Sequence, residues 1–207
     1  MVRAGLVRKE RKAATRRALV VAAQTLFAEK GYDETTLEEV AELAGLHVQT
    51  LYRHFASKVE LVAAGDEEKL ERFRLAIRDP DRKGDTFSFW RQWLHTAATR
   101  VTQEDGGQYY REFLIQRWGP PTVSSHLIRI GQAYEDLLAE SLAKDFQQPL
   151  DGNGLETPRL AAIALWAANA HILRRHCAQE DFDLVHEAVA AIDKVESLFK
   201  PLTANND

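Results

Sequence analysis

The sequence has little with which to staple or to break itself. One cysteine, Cys177, stands among 207 residues, so no internal disulfide can form and a stapled secreted fold is excluded. That thiol reads as a small buried apolar group near a helix end. Six prolines and eleven glycines are too few for a collagen-like or low-complexity chain. Long apolar runs are missing as well. The longest, Leu160 to Leu173, is interrupted by Asn169 and His171 and falls short of the roughly 20 residues that span a bilayer. The first residues lack the apolar stretch and cleavage site of a signal peptide, so a soluble, cytoplasmic protein is the expectation.

Catalytic signatures are absent too. There is no P-loop, dinucleotide glycine fingerprint or nucleophile elbow. The seven histidines are scattered, and His176-Cys177 lacks two further ligands at a metal-site spacing. The neighbouring carboxylates Glu38-Glu39 and Glu67-Glu68 fall on different parts of a helix surface and read as solvated charge. These absences predict a protein that is not an enzyme and uses no cofactor or metal.

What is present is helical and unevenly charged. Hydrophobic residues make up 45% and charged residues 28%, enough apolar material for a buried core. The formal charge is −4. Residues 1–17 hold Arg3, Arg8, Lys9, Arg11, Lys12, Arg16 and Arg17 against Glu10 alone, an arm of +6 on a body of −10. A basic arm on an acidic body predicts contact with a polyanion, either nucleic acid or an anionic membrane surface. The composition of residues 1–9 predicts a segment unstructured without DNA.

Wherever apolar spacing is regular, it is helical. Leu19, Ala22, Ala23, Leu26 and Phe27 form one buried stripe of a helix over about 10–30, with Gly31 at its C-cap. Thr36 and Glu39 fit a capping box at the start of a short helix over 37–44. Gly45 breaks that helix, and a third follows over about 48–54. Ser57 and Glu60 form a second capping box, starting a helix to about Arg78. Beyond Asp85 come longer helices carrying Phe87, Trp90 and Leu94, then Tyr109 to Trp118, then Leu127 to Ser141. Gln148 to Thr157 is a loop, and two final helices span about 158–178 and 183–199. The fold class is therefore all-α, with about nine helices. A domain boundary is expected near residue 60, with residues 1–60, including the basic arm, as one domain and residues 61–207 as a larger helical one.

Two short helices joined through Gly45 have the form of a helix-turn-helix, whose second helix enters the DNA major groove. The basic arm directly before it favours nucleic acid over membrane, because Arg3–Arg17 lacks the broad apolar face of an interfacial helix. The runs Gly31-Tyr32-Asp33-Glu34-Thr35-Thr36-Leu37, Ala41-Glu42-Leu43-Ala44-Gly45-Leu46 and Thr50-Leu51-Tyr52-Arg53-His54-Phe55-Ala56-Ser57-Lys58 resemble the tetracycline-repressor (TetR) family. The likeness covers about residues 10–62 without gaps; past Val62 it is architectural. It implies a dimeric transcription regulator, usually a repressor, that binds double-stranded DNA and leaves it when a small molecule fills the C-terminal domain. It also implies phosphate contacts from Thr36, Thr50, Tyr52, His54 and Lys58, which set register without reading bases.

Departures from the family pattern carry the sequence preference. His47 stands where a better cap is usual, and Val48 and Gln49 replace a basic residue and a glycine. Gln49 can bond the N6/N7 edge of adenine and Val48 can pack on a thymine methyl; with His47 and Arg53 they form the expected base-reading set. Phe55 reads as core. In the body, Trp90, Trp93, Tyr110, Phe113, Trp118, Tyr134 and Trp166, with the polar residues His126 and Asn169, are the candidate lining of an effector site for a largely apolar or aromatic molecule. His95 and His171 are further polar candidates. The homodimer surface is expected on Leu160, Ile163, Ala164, Ala167 and Ile172, and on Val185, Ala188, Val189, Ile192, Val195 and Phe199. A non-specific DNA-binding helical protein without an effector is the alternative, and an anionic-membrane-associated helical module a second.

Overall fold

The computed structural model describes residues 2–103, 106–118, 121–152, 154 and 156–200, and among them every regular element is a helix. In chain order these are α1 (Val2–Lys30), α2 (Leu37–Leu43), α3 (Val48–His54), α4 (Lys58–Ile77), α5 (Thr86–Thr102), α6 (Gln108–Trp118), α7 (Pro121–Asp145), α8 (Thr157–Ala178) and α9 (Leu184–Phe199). The all-α reading with about nine helices therefore holds. None of the helices is long and apolar enough to cross a membrane among the described residues. Local chemistry sets the boundaries. Asp85 and Asp183 accept the amides of Ser88 and His186 at 2.8 and 3.0 Å, satisfying donors that a helix start leaves orphaned. Gly31 ends α1 at φ 100°, a conformation that a Cβ would penalise.

Two expectations change. Residues 2–9 are helical rather than unstructured, because the arm continues into a run of Arg, Lys, Glu and Ala, all good helix formers. The second capping box is shifted by one residue. The Glu60 amide donates to the Ser57 hydroxyl at 3.3 Å, but the Glu60 carboxylate accepts from Ala56 at 2.7 Å.

Packing divides the chain into Met1–Lys69 with Glu112–His126, and Leu70–Arg111 with Leu127–Asp207. The expected break at residue 60 falls inside α4, whose first turns give Leu61 and Ala64 to the first core. That core joins Leu19, Ala23 and Phe27 of α1 to Val40 and Ala41 of α2, Leu51 of α3, and Phe55. The second unit is built around Phe73, Phe87, Trp90, Leu138, Leu142, Ala161, Leu165 and Ile192. A polar seam crosses it: the Thr86 and Ser141 hydroxyls lie 2.7 Å apart, and the Thr86 amide donates to Asp145 at 2.6 Å. Arg91 of α5 bonds Asp193 through Nε and Nη2 at 2.9 and 2.8 Å and also pairs with Glu196, tying α5 to α9.

Half of the stripe assigned to dimerisation on α9 is turned inward, while Val185, Val189 and Phe199 are half-buried. Ala188, Ile192 and Val195 are buried within the chain, because α9 packs on both α5 and α8 and needs that face for its own subunit. On α8, Ile172 is buried, whereas Leu160 and Ile163 stay 42% and 39% exposed.

A separate small core in the same unit holds Ala98, Ile172, Phe182 and Leu184. His176, wholly buried, lies beside it, with Nε2 3.2 Å from the Gly107 carbonyl. A carbonyl only accepts, so Nε2 carries the proton and Nδ1, which has no partner among the described residues, is the bare nitrogen. Burial foremost, with the nearby Arg111 guanidinium, holds the imidazole below its usual pKa. A histidine kept neutral in the fold protonates more readily once unfolded. Its contribution to stability is thus complete above the unfolded value near 6.5 and lost as pH falls below it. Urea midpoints measured at pH 7.5 and 5.5 should therefore fall on acidification, and His176→Gln should narrow the gap. In the aromatic core, Phe73→Ala should cost about 3–5 kcal/mol at pH 7.5 in the same assay.

Candidate nucleic-acid interface

The interface rests on the turn between α2 and α3. Gly45 adopts φ 67°; its amide donates to the Glu42 carbonyl at 2.9 Å, and that of Leu46 donates to Ala41 at 2.8 Å. This paired reversal caps the last carbonyls of α2 and turns the chain sharply. At the other end of α2, Thr36 and Glu39 form the full box: the hydroxyl accepts from the Glu39 amide at 3.2 Å, and Glu39 accepts the Thr36 amide and hydroxyl at 2.8 Å each. The Lys30 ammonium also pairs with Glu39. Chiefly through that bond, and then through Thr36, the carboxyl is pulled down to about 2.

α3 has two faces. Leu51 and the following Phe55 are buried, and Val48 is half-buried against the same core. His47, Gln49, Tyr52 and Arg53 are exposed. The Tyr52 hydroxyl donates to Glu38 at 3.3 Å, and the Glu38 charge raises its pKa. Arg53 donates to the Thr50 hydroxyl at 3.0 Å, so these two side chains are presented as a pair. As its imidazole implies, His47 makes no side-chain cap.

Two expected contacts are engaged inside the protein. His54 is half-buried and its Nδ1 is enclosed without a partner; burial first, then Lys12, Arg16 and Arg53, lowers its pKa. It therefore lies along the edge of the core and does not project freely. Lys58 donates to the Tyr32 and Asp33 carbonyls at 2.7 and 3.0 Å and lies over the Tyr32 ring at 4.8 Å. Its ammonium is thereby fixed at the α1–α2 connection with two of its three donors in use.

Arg16 is the residue whose role the sequence concealed. Counted in the basic arm, it instead sits 4.3 Å over the Phe55 ring and donates to the His54 carbonyl at 3.2 Å. It binds α1 to the last turn of α3 by a cation–π contact and a charged hydrogen bond. Only its place one helical turn before Leu19, beside the apolar stripe, hinted at this. The side chains of Arg3, Arg8 and Lys9 lie outside the described residues.

The candidate effector residues separate. Trp90, Trp93, Tyr134 and Trp166 cluster in the second unit around Phe73. Tyr134 and Trp166 are stacked, with centroids 4.8 Å and planes 13° apart. Asn169 is half-buried one turn beyond Trp166. Tyr110 stacks on His176, 6.3 Å away, beside the small core instead. Phe113 and His126 belong to the first unit: Phe113 faces Lys69 at 5.9 Å, and His126 Nε2 lies 3.0 Å from the buried Asp66 carboxylate. An apolar helix face spaced at i, i+3 did not reveal which of several cores it served. His95 and His171 are exposed, and the side chain of Trp118 lies outside the described residues.

With this geometry established, comparison places the chain among known proteins. Residues 19–64 match the family model "Bacterial regulatory proteins, tetR family". The HTH-type transcriptional regulator TcmR of Streptomyces glaucescens is 42% identical over 203 residues, covering 96% of this chain and 89% of TcmR. The HTH-type transcriptional activator FasR of Mycolicibacterium smegmatis is 28% identical over 150 residues, covering 71% of this chain and 64% of FasR. Among solved structures, SmeT, the repressor of the Stenotrophomonas maltophilia multidrug efflux pump SmeDEF, shares the fold. Its TM-score is 0.67 at 23% identity, covering 89% of both chains.

The cap at Thr36 can be tested alone. Thr36→Ala should lower stability by about 1 kcal/mol in urea denaturation, and Thr36→Ser should restore most of it. A carboxyl depressed in the fold supports stability above its unfolded pKa of 4.5 and loses that support as pH falls towards 2. Glu39→Gln should accordingly flatten the acid limb of the stability curve between those values.

Proposed function

Because the chain belongs to the TetR family of bacterial DNA-binding regulatory proteins, we propose that it is a homodimeric repressor released from a palindromic operator by a small, largely apolar or aromatic molecule held in its C-terminal helical body. The observation that carries this reading is the division of α3: Leu51 is buried while Gln49, Tyr52 and Arg53 face outward. That is the disposition a recognition helix needs in a major groove about 12 Å wide. Gln49 and Arg53 read base edges, with His47 and Val48 at the entry of the helix. Thr36, Thr50 and Tyr52 hold the phosphates together with the remaining donor of Lys58, and His54 stays at the edge of the core behind them.

The exposed Leu160 and Ile163 of α8, and Leu198 of α9 at 67% exposure, support pairing of two copies through these helices. A two-fold axis places two recognition helices about 34 Å apart, one turn of DNA, which is why the operator is a palindrome. The aromatic cluster of the second unit supports the apolar or aromatic character of the effector. The protein acts where the chromosome is, in the cytoplasm.

Selection from a random duplex library with the purified protein tests the reading directly. The expected product is a palindrome bound far more tightly than random duplex. A steep salt dependence with no enriched sequence would instead identify a backbone-only binder. On the selected site, Gln49→Ala should cost about 1–3 kcal/mol and relax one base position. Lys58→Met should weaken all sequences alike and reduce the salt slope by about 1.

A further inference from the structure

The aromatic core of the second unit contains a donor with no acceptor. Trp90 is 1% exposed, and its indole Nε1–H has no hydrogen-bond partner among the described residues. Its ring neighbours are Phe73, edge-on at 5.4 Å and 79°, and Tyr134 at 6.4 Å and 54°. Phe73 in turn meets Trp93 at 5.2 Å and Phe89 at 5.7 Å. A π face accepts an N–H much more weakly than an oxygen does. Buried indoles ordinarily reach a partner, and a phenylalanine would supply apolar area here without an orphaned dipole.

The surroundings define what would satisfy that donor. Trp166 and Tyr134 are stacked on each other nearly parallel and are both half-buried, so it is the outer faces of this pair that suit a flat molecule. Trp166 is pressed against α7 at Gly131, where an added Cβ would come within 2.7 Å of its Nε1. The indole wall is therefore fixed on that side. A neutral N–H dipole does not offset the desolvation of a carboxylate, so the matching acceptor is an uncharged oxygen.

We infer that Trp90 is the specificity-determining donor of the effector site, selecting planar aromatic molecules with a ring carbonyl over hydrocarbons of the same shape. This rests on the proposed effector role of the aromatic body. Its test uses 9-fluorenone and fluorene, two flat, neutral molecules that differ in one carbonyl.

Titrations of each into the full-length ¹⁵N-labelled protein are followed through the indole N–H resonances, with Trp90 assigned by Trp90→Phe. The expected result is binding of fluorenone roughly tenfold tighter than fluorene, the equivalent of one hydrogen bond. The Trp90 N–H should move downfield with fluorenone only, and Trp90→Phe should bind both probes equally. A preference that survives in Trp90→Phe, or a Trp90 resonance unmoved while fluorenone binds, overturns the donor assignment and leaves the aromatic site standing. Equal binding of both probes by the wild type does the same. Binding of neither probe overturns the aromatic-effector reading as well. If Trp90→Phe does not fold, the indole resonances are assigned instead from triple-resonance spectra of the wild type, and the Trp90 shift decides alone.

Discussion

A seven-residue helix has no stable conformation of its own in water, since isolated helices shorter than about 12–15 residues are marginal. α3 is such a helix, and everything the proposed interface presents to DNA depends on what holds it. Leu51 and Phe55 anchor it by burial. The reversal at Gly45 fixes where it begins. Arg16 fixes where it ends, by covering the Phe55 ring and bonding the His54 carbonyl. The direction in which Gln49 and Arg53 point is thus imposed by α1 and α2, and the recognition helix is better regarded as the rim of a three-helix core than as an independent element.

Supports of this kind differ in how visible they are in the sequence. Caps and reversals use short spacings, so Thr36 with Glu39, Gly31 and Gly45 could be placed from the residues alone, and so could the burial of Phe55. Long-range polar contacts leave no such trace. Arg16 reaches residues 38 and more positions away, and its composition is that of an ordinary basic arm. Lys58 is read from its motif as a phosphate ligand, yet the carbonyls it grips are 25 and 26 residues earlier in the chain. The helical periodicity of the body gave its elements correctly, but not which core each stripe serves. Phe113, His126 and Tyr110 each follow an apolar or aromatic face and each belongs elsewhere than beside Trp90. The inward turn of α9 has the same origin: one stripe can pack within a subunit or between subunits, and only the positions of α5 and α8 decide.

The two units use polar groups differently. In the first, most charged contacts lie at edges, where Lys30, Glu39, Arg16 and Lys58 tie helix ends to loops, and one pair, Asp66 with His126, is buried. The second pairs neutral hydroxyls within its helix packing, Thr86 with Ser141, and among the described residues leaves two ring nitrogens, on Trp90 and His176, without partners, against one, on His54, in the first. An interior that tolerates unmet polar atoms has given up some stability at those positions, as sites reserved for function commonly do.

The two-faced character of α3 has an evolutionary consequence. The residues that hold the helix, Leu51 and Phe55, alternate along the same two turns with those that face outward, Gln49, Tyr52 and Arg53. Substitutions on the outer face leave the core untouched, because surface changes away from caps and buried groups usually alter stability by less than about 0.5 kcal/mol. On the proposed reading of that face, descendants of this chain can acquire new operators one base pair at a time without passing through unfolded intermediates. The same decoupling makes α3 a natural place to rewrite target choice by design while the rest of the scaffold is kept.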